Sequence, residues 1–224
     1  MKLLLDSGLP EEIEEIKATG MLAGVTTNPK IYGTLGTDFL KRLDDILAVA
    51  PGCVFTQVVG WHNTEDMIKQ ARWLSAKSKK IIVKLPMSIE GLQALKCLKK
   101  DNNPDMRLAV SVVSSITQAL LAGQAGADVV ALFNGALDTT SDTPVHIVEP
   151  VKKMYRHYGY QTEILSCGRF PRGVGEFAIA GSDYCTLGAE FFRMLFEHPY
   201  TYMRMKGFAE DWQGAFGDKT WPTE

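Results

Sequence analysis

The most constraining feature of this sequence is an alternation that runs from end to end. Short runs rich in Leu, Ile and Val are separated by longer stretches in which apolar residues recur at three- and four-residue spacing. The short runs are KLLLD (2–6), AGVTT (23–27), VFTQVV (54–59), IIVKLP (81–86), RLAVSVV (107–113), DVVALFN (128–134), TEILSCG (162–168) and DYCTLG (183–188). Near-continuous apolar strands are buried on both faces, the mark of a parallel sheet covered by helices. Helical patterns fill the gaps: LPEEIEEIKATG, with Pro10 near its start and Gly20 past its end, and DFLKRLDDILAV, with Leu43 and Ile46 on one face. Others run over 63–78, 89–99, 114–125, 144–158 and 172–180, with a last pair over 189–213. Eight βα units in 224 residues predict one compact domain over 1–224, an α/β fold of the (β/α)8 TIM-barrel type, followed by a C-terminal helical extension over about 199–224. An open doubly wound sheet is the alternative.

Composition removes other classes. No apolar run approaches the ~20 residues of a membrane span, and the 22% charged fraction is that of an ordinary globular chain. A net charge of −2 gives no general field toward nucleic acid or an anionic membrane, so neither is an expected partner and any anion must be held locally. Cys53, Cys97, Cys167 and Cys185 form no CxxC pair and sit mostly in apolar runs, which suits a reducing cytoplasm. MKLLLDSG is too short for a signal segment, so no targeting sequence is expected. His62, His146, His157 and His198 share no ligand spacing, and neither a GxxxxGK[ST] loop nor a strand followed by GxGxxG is present, so no metal and no cofactor are expected. Tyr200, Tyr202, Phe208, Trp212, Phe216 and Trp221 all follow the last strand. So many aromatics beyond a closed barrel either cap it or dock on a neighbouring subunit, and the second reading is preferred.

In a parallel barrel the C-terminal strand ends share one mouth, where barrel enzymes keep their sites. The strand ends supply Asp6, Thr26, Thr27, Asn28, Gln57, Lys84, Ser111, Asn134, Ser166 and Thr186. Lys84 is the most informative, because Ile81, Ile82 and Val83 precede it and Leu85 and Pro86 follow. Burial lowers a lysine pKa and leaves free amine to attack a carbonyl and form an imine. Alternatively it snorkels outward or pairs with Asp6. Asp6 could take a proton from a sugar hydroxyl or cap the following helix. Thr26-Thr27-Asn28-Pro29 reads equally as a turn. Arg169 and Arg172, after the seventh strand, suit a phosphate there or are solvated surface charge.

Together, LLLDSG, AGVTTNPKI, FTQVV, IIVKLPMSIEGLQALKCLK, AGADVVALFNGALD and DWQGAFG resemble the small transaldolase and fructose-6-phosphate aldolase family across essentially the whole chain. The resemblance implies a cofactor-independent class I aldolase fold and chemistry. Lys84 is then the Schiff-base lysine, Asp6 the carboxylate near the C3 and C4 hydroxyls, and Thr26 and Asn28 substrate-positioning groups. A sugar or sugar phosphate is the implied substrate, and the C-terminal helices resemble a segment that interlocks subunits into pentamers or decamers. Two markers point opposite ways: Gln57 matches the aldolases, whereas Phe133 matches the transaldolases. By alignment, the family's small hydroxyl residue on strand five falls on Leu108 and its phosphate-binding Arg on Ala136, while Lys30 stands where Ser is usual. Ser166 and Arg169 are the nearest matches to the phosphate site. The expected activity is cleavage or formation of the C3–C4 bond of a ketose or ketose phosphate with release of dihydroxyacetone. The alternatives are transfer of that unit between aldoses, possibly from a sulfonated ketose such as 6-deoxy-6-sulfofructose, or a sugar-binding oligomer that has lost turnover.

Overall fold

In a computed structural model of the chain, residues 1–36, 38–133, 147–217, 219 and 221 are described. Among them, eight strands close into a barrel in sequence order, each pairing in parallel with the next and β8 with β1. The strands are β1 (Lys2–Asp6), β2 (Leu22–Thr26), β3 (Cys53–Gln57), β4 (Ile81–Pro86), β5 (Arg107–Val113), β6 (Val129–Leu132), β7 (Glu163–Cys167) and β8 (Tyr184–Leu187). The helices are α1 (Pro10–Lys17), α2 (Pro29–Leu35), α3 (Phe39–Val49), α4 (Thr64–Lys77), α5 (Ile89–Lys99), α6 (Ile116–Ala125), α7 (Val148–Tyr158), α8 (Pro171–Ala180), α9 (Ala189–Met194) and α10 (Pro199–Phe216). This is a (β/α)8 TIM barrel with a C-terminal helix, and the doubly wound alternative is excluded. Asn134, Ala136, His146 and residues 144–146 of the helix expected over 144–158 lie outside the described residues.

Strand pleat separates two cores. Leu4, Phe55, Ile82, Ala109, Val129, Ala131, Leu165 and Tyr184 fill the barrel, whereas Leu5, Val54, Val83, Leu85, Leu108, Val110, Val130, Ile164 and Leu187 pack against the helices. That two-sided burial is why the strands carry no polar alternation. Below the inner core, Arg107 pairs with Glu163, Tyr184 donates its hydroxyl to the same carboxylate, and Lys2 lies over the Tyr184 ring at 5.3 Å. These groups pair one another's charges at the end opposite the mouth.

Helix starts follow local chemistry. Ser88 Oγ accepts from the Gly91 amide at 3.0 Å to cap α5, and Ser115 Oγ accepts from the Gln118 amide at 3.2 Å to cap α6. Gly91 is required by closeness, since a Cβ there would sit 2.1 Å from the Pro86 carbonyl oxygen. Helix α2 has no counterpart among the helices that apolar spacing predicts. There Asn28 Oδ1 accepts from the Ile31 amide at 3.1 Å and Pro29 occupies the first turn, so the TTNP turn is also a helix start.

Candidate active site

Continuing the pleat of the inner core upward, the next inward position is Asp6 on β1, Thr26 on β2, Gln57 on β3, Lys84 on β4, Ser111 on β5, Phe133 just beyond β6, Cys167 on β7 and Thr186 on β8. These eight residues form the floor and wall of the mouth. Lys84 is only 7% exposed, with Val83 and Leu85 turned to the helix layer on either side. Among the described residues it makes no salt bridge; Asp6 and Cys167 act on it through space. Burial pushes its ammonium pKa below the ordinary lysine value, and the field of Asp6 and then of Cys167 partly opposes that. Burial likewise raises the Asp6 carboxyl above the usual range, against the Thr26 hydrogen bond and the Lys84 charge. Both groups are shifted toward their neutral forms, which favours free amine at Lys84 and proton exchange at Asp6.

The other expected residues divide. Thr26 Oγ1 donates to Asp6 Oδ1 at 2.7 Å, so this hydroxyl holds the carboxylate. Gln57 is the register partner of Lys84 and also borders a groove of ≈ 680 Å³ lined by Pro29, Tyr32, Phe39 and Trp73. That groove lies beside the mouth and its lining does not include Lys84. Asn28 spends its carbonyl oxygen on the α2 cap, which leaves its NH2 as donor. Phe133, 44% exposed, presents a ring at the rim. Lys30 in the first turn of α2 and Arg169 after β7 are both exposed. Arg172 pairs with Glu176 at 2.8 Å.

Two assignments change. Ser166 does not reach the mouth: it is fully buried on the outer face of β7, with Oγ 2.9 Å from Ser182 Oγ, because Leu165 and Cys167 take the inward positions. Leu108 is likewise outward; Ala109 is the neighbour of Lys84 on β5, and Ser111 is the inward hydroxyl one pleat higher. Cys167 was missed as a site residue because its run reads as apolar filler. Only the alternation from Leu165 reveals that it faces Lys84 and Asp6. Burial, with Asp6 next, pushes its thiol up to about 12, so it is present as the neutral thiol. Among the described residues no group of three or more His, Cys, Asp or Glu side chains could hold a metal ion.

A family model described as "Transaldolase/Fructose-6-phosphate aldolase" matches residues 3–218. A protein named "Probable transaldolase" from Brevibacillus brevis is 38% identical over 213 residues, 95% of this chain and 98% of that one. Another "Probable transaldolase", from Aquifex aeolicus, is 36% identical over 214 residues, 95% of this chain and 97% of its own. Among solved structures, one described as "Native KDPGal structure" superposes with a TM-score of 0.53 at 12% identity, over 95% of this chain and 94% of that one. At that identity the likeness is one of fold. Among the described residues no helix is long and apolar enough to cross a membrane.

Proposed function

The chain belongs to the transaldolase/fructose-6-phosphate aldolase family and is an enzyme of that type; from that premise we propose that it is a class I aldolase that breaks or forms the C3–C4 bond of a ketose or ketose phosphate through an imine on Lys84. The observation that carries this reading is the Lys84 amine itself, buried in an apolar strand at the mouth and facing a carboxyl group. The neutral amine adds to C2 of the ketose, and loss of water gives a protonated imine. Asp6 accepts the proton of the C4 hydroxyl as the C3–C4 bond breaks. The bond's electron pair moves into the imine to give an enamine, and the aldehyde leaves. Protonation at C3 and addition of water return the amine and release dihydroxyacetone. Thr26 holds Asp6, the Asn28 NH2 and Gln57 are donors to substrate hydroxyls, and Lys30 and Arg169 are the exposed cations available to a distal anion.

A second reading, transfer of the three-carbon unit to an acceptor aldehyde, is favoured by Phe133: its ring offers no hydroxyl to protonate the enamine, so the enamine would persist until an acceptor arrives. The names of the relatives, both "Probable transaldolase", support it. In both readings α10, none of whose residues is buried, is the surface that joins subunits in a homo-oligomer.

Borohydride reduction with dihydroxyacetone, fructose 6-phosphate or a sulfonated ketose, followed by peptide mapping, tests the reading. The expected result is an adduct on Lys84 and at least a roughly thousandfold loss of turnover in Lys84→Ala. An unmodified Lys84 with every ketose would overturn both versions. Product formation without an acceptor then separates aldolase from transferase.

A further inference from the structure

Thr26 has one hydroxyl proton and two close oxygen neighbours. Its Oγ1 lies 2.7 Å from Asp6 Oδ1 and 2.6 Å from Thr186 Oγ1. An ionised carboxylate can only accept, so the single Thr26 proton goes to Asp6, and the contact with Thr186 is left for Thr186 to donate. The three side chains form a directed chain across adjacent strands: Thr186 on β8 donates to Thr26 on β2, which donates to Asp6 on β1 between them. Both threonines are buried, at 2% and 6% exposure, so water does not readily substitute for either partner.

We infer that Thr186 is a positioning residue which, acting through Thr26, favours the ionised, proton-accepting form of Asp6 against the opposing effect of its burial. Each donor in such a chain polarises the next, so the Thr26 hydroxyl is a stronger donor to Asp6 when it is itself accepting from Thr186. Protonating Asp6 weakens the demand for that alignment, so the chain favours the charged form. The surrounding groups leave this function to few others. Among the described residues, the titratable side chains facing Asp6 are Lys84 from β4 and Cys167 from β7. Gln57, Ser111 and Phe133 complete the ring without carrying charge, and the Arg169 charge acts on Cys167. The inference deepens the aldolase reading by naming what sets the protonation of its base.

The test is chosen to read Asp6 whether or not the enzyme turns over. The carboxyl infrared band of Asp6, assigned by its loss in Asp6→Asn, is titrated in the wild type, Thr186→Val, Thr186→Ser and Thr186→Ala, each shown to be folded by circular dichroism. Valine and alanine are expected to move the Asp6 titration upward by about one pH unit, a tenfold change in its proton affinity, while serine leaves it in place. The acid limb of borohydride trapping should move with it. Coincident Asp6 titrations in the wild type and either hydroxyl-free variant overturn the inference even if Lys84 forms its adduct. Absence of an adduct together with a shifted titration instead overturns the aldolase reading and leaves the chain standing.

Discussion

Gln57 and Lys84 are register partners across β3 and β4, so an amide and an amine stand side by side on the inner faces of adjacent strands. The neutral amide adds no charge of its own beside the amine. Gln57→Glu would place a carboxylate there and stabilise the ammonium, raising the Lys84 pKa. The pH at which borohydride trapping reaches half its maximum is expected to rise by about one unit. An unchanged profile would mean that the two side chains do not sense each other.

Phe133 stands at the rim with nothing to donate. Phe133→Tyr adds a hydroxyl on a ring already facing the mouth and supplies a proton source for the enamine. Acceptor-free release of dihydroxyacetone is expected to rise at least about tenfold, within the range of a single general acid. If release stays flat in a coupled assay while Lys84 still forms its adduct, the missing hydroxyl does not limit the reaction.

Burial lowers the Lys84 pKa below the value it has when the chain is unfolded, so the sign of its contribution to stability is fixed. Between the two values the unfolded chain binds the extra proton, and stability rises with pH across that window. Lys84→Met removes the penalty. Its unfolding midpoint in urea is expected to exceed that of the wild type at pH 7, and the gap should shrink as pH climbs toward the lysine value of the unfolded chain. A midpoint lowered at every pH would show that packing around the lysine, rather than its desolvation, dominates.

The barrel was legible because two-sided burial writes itself into strands as apolar runs, and all eight appear within a residue or two of their predicted places. Asp6, Thr26, Gln57 and Lys84 were legible because each is a polar residue at or near the end of an apolar run, where a barrel strand opens on the mouth. Side-chain direction was harder to read. Strand period is two, so a one-residue slip exchanges the faces: Ser166 went to the helix layer and Cys167 to the mouth, and Leu108 gave way to Ala109. Helix α2 was hidden by its brevity and by Gly33, and only the Asn28 cap marks its start.

Val112 has a φ of 63°, a conformation that a β-branched residue avoids, at the point where the β5–β6 register shifts just above Ser111. Its side chain is 45% exposed, so little packing is lost on removal. Val112→Gly is expected to raise stability by about 1 kcal/mol, the left-handed penalty of an L-residue less part of glycine's entropy cost. Urea unfolding measures it. A loss of stability would show that the Val112 side chain contributes more through contact than its backbone costs.

Helix α10 presents Tyr200, Tyr202, Met203, Met205, Phe208 and Phe216 without burying any of them. An 18-residue helix with that much apolar surface exposed is not held in place by the barrel core. Its removal should therefore leave the barrel folded while abolishing the contact between subunits. A chain ending before Pro199 is expected to keep the far-UV circular dichroism of a folded barrel and to sediment as a smaller species than the full chain. If the full chain itself sediments as a monomer, the aromatics serve another surface. If the shortened chain keeps the full assembly, the subunits meet through the barrel helices, and α10 is an appendage to an interface built elsewhere.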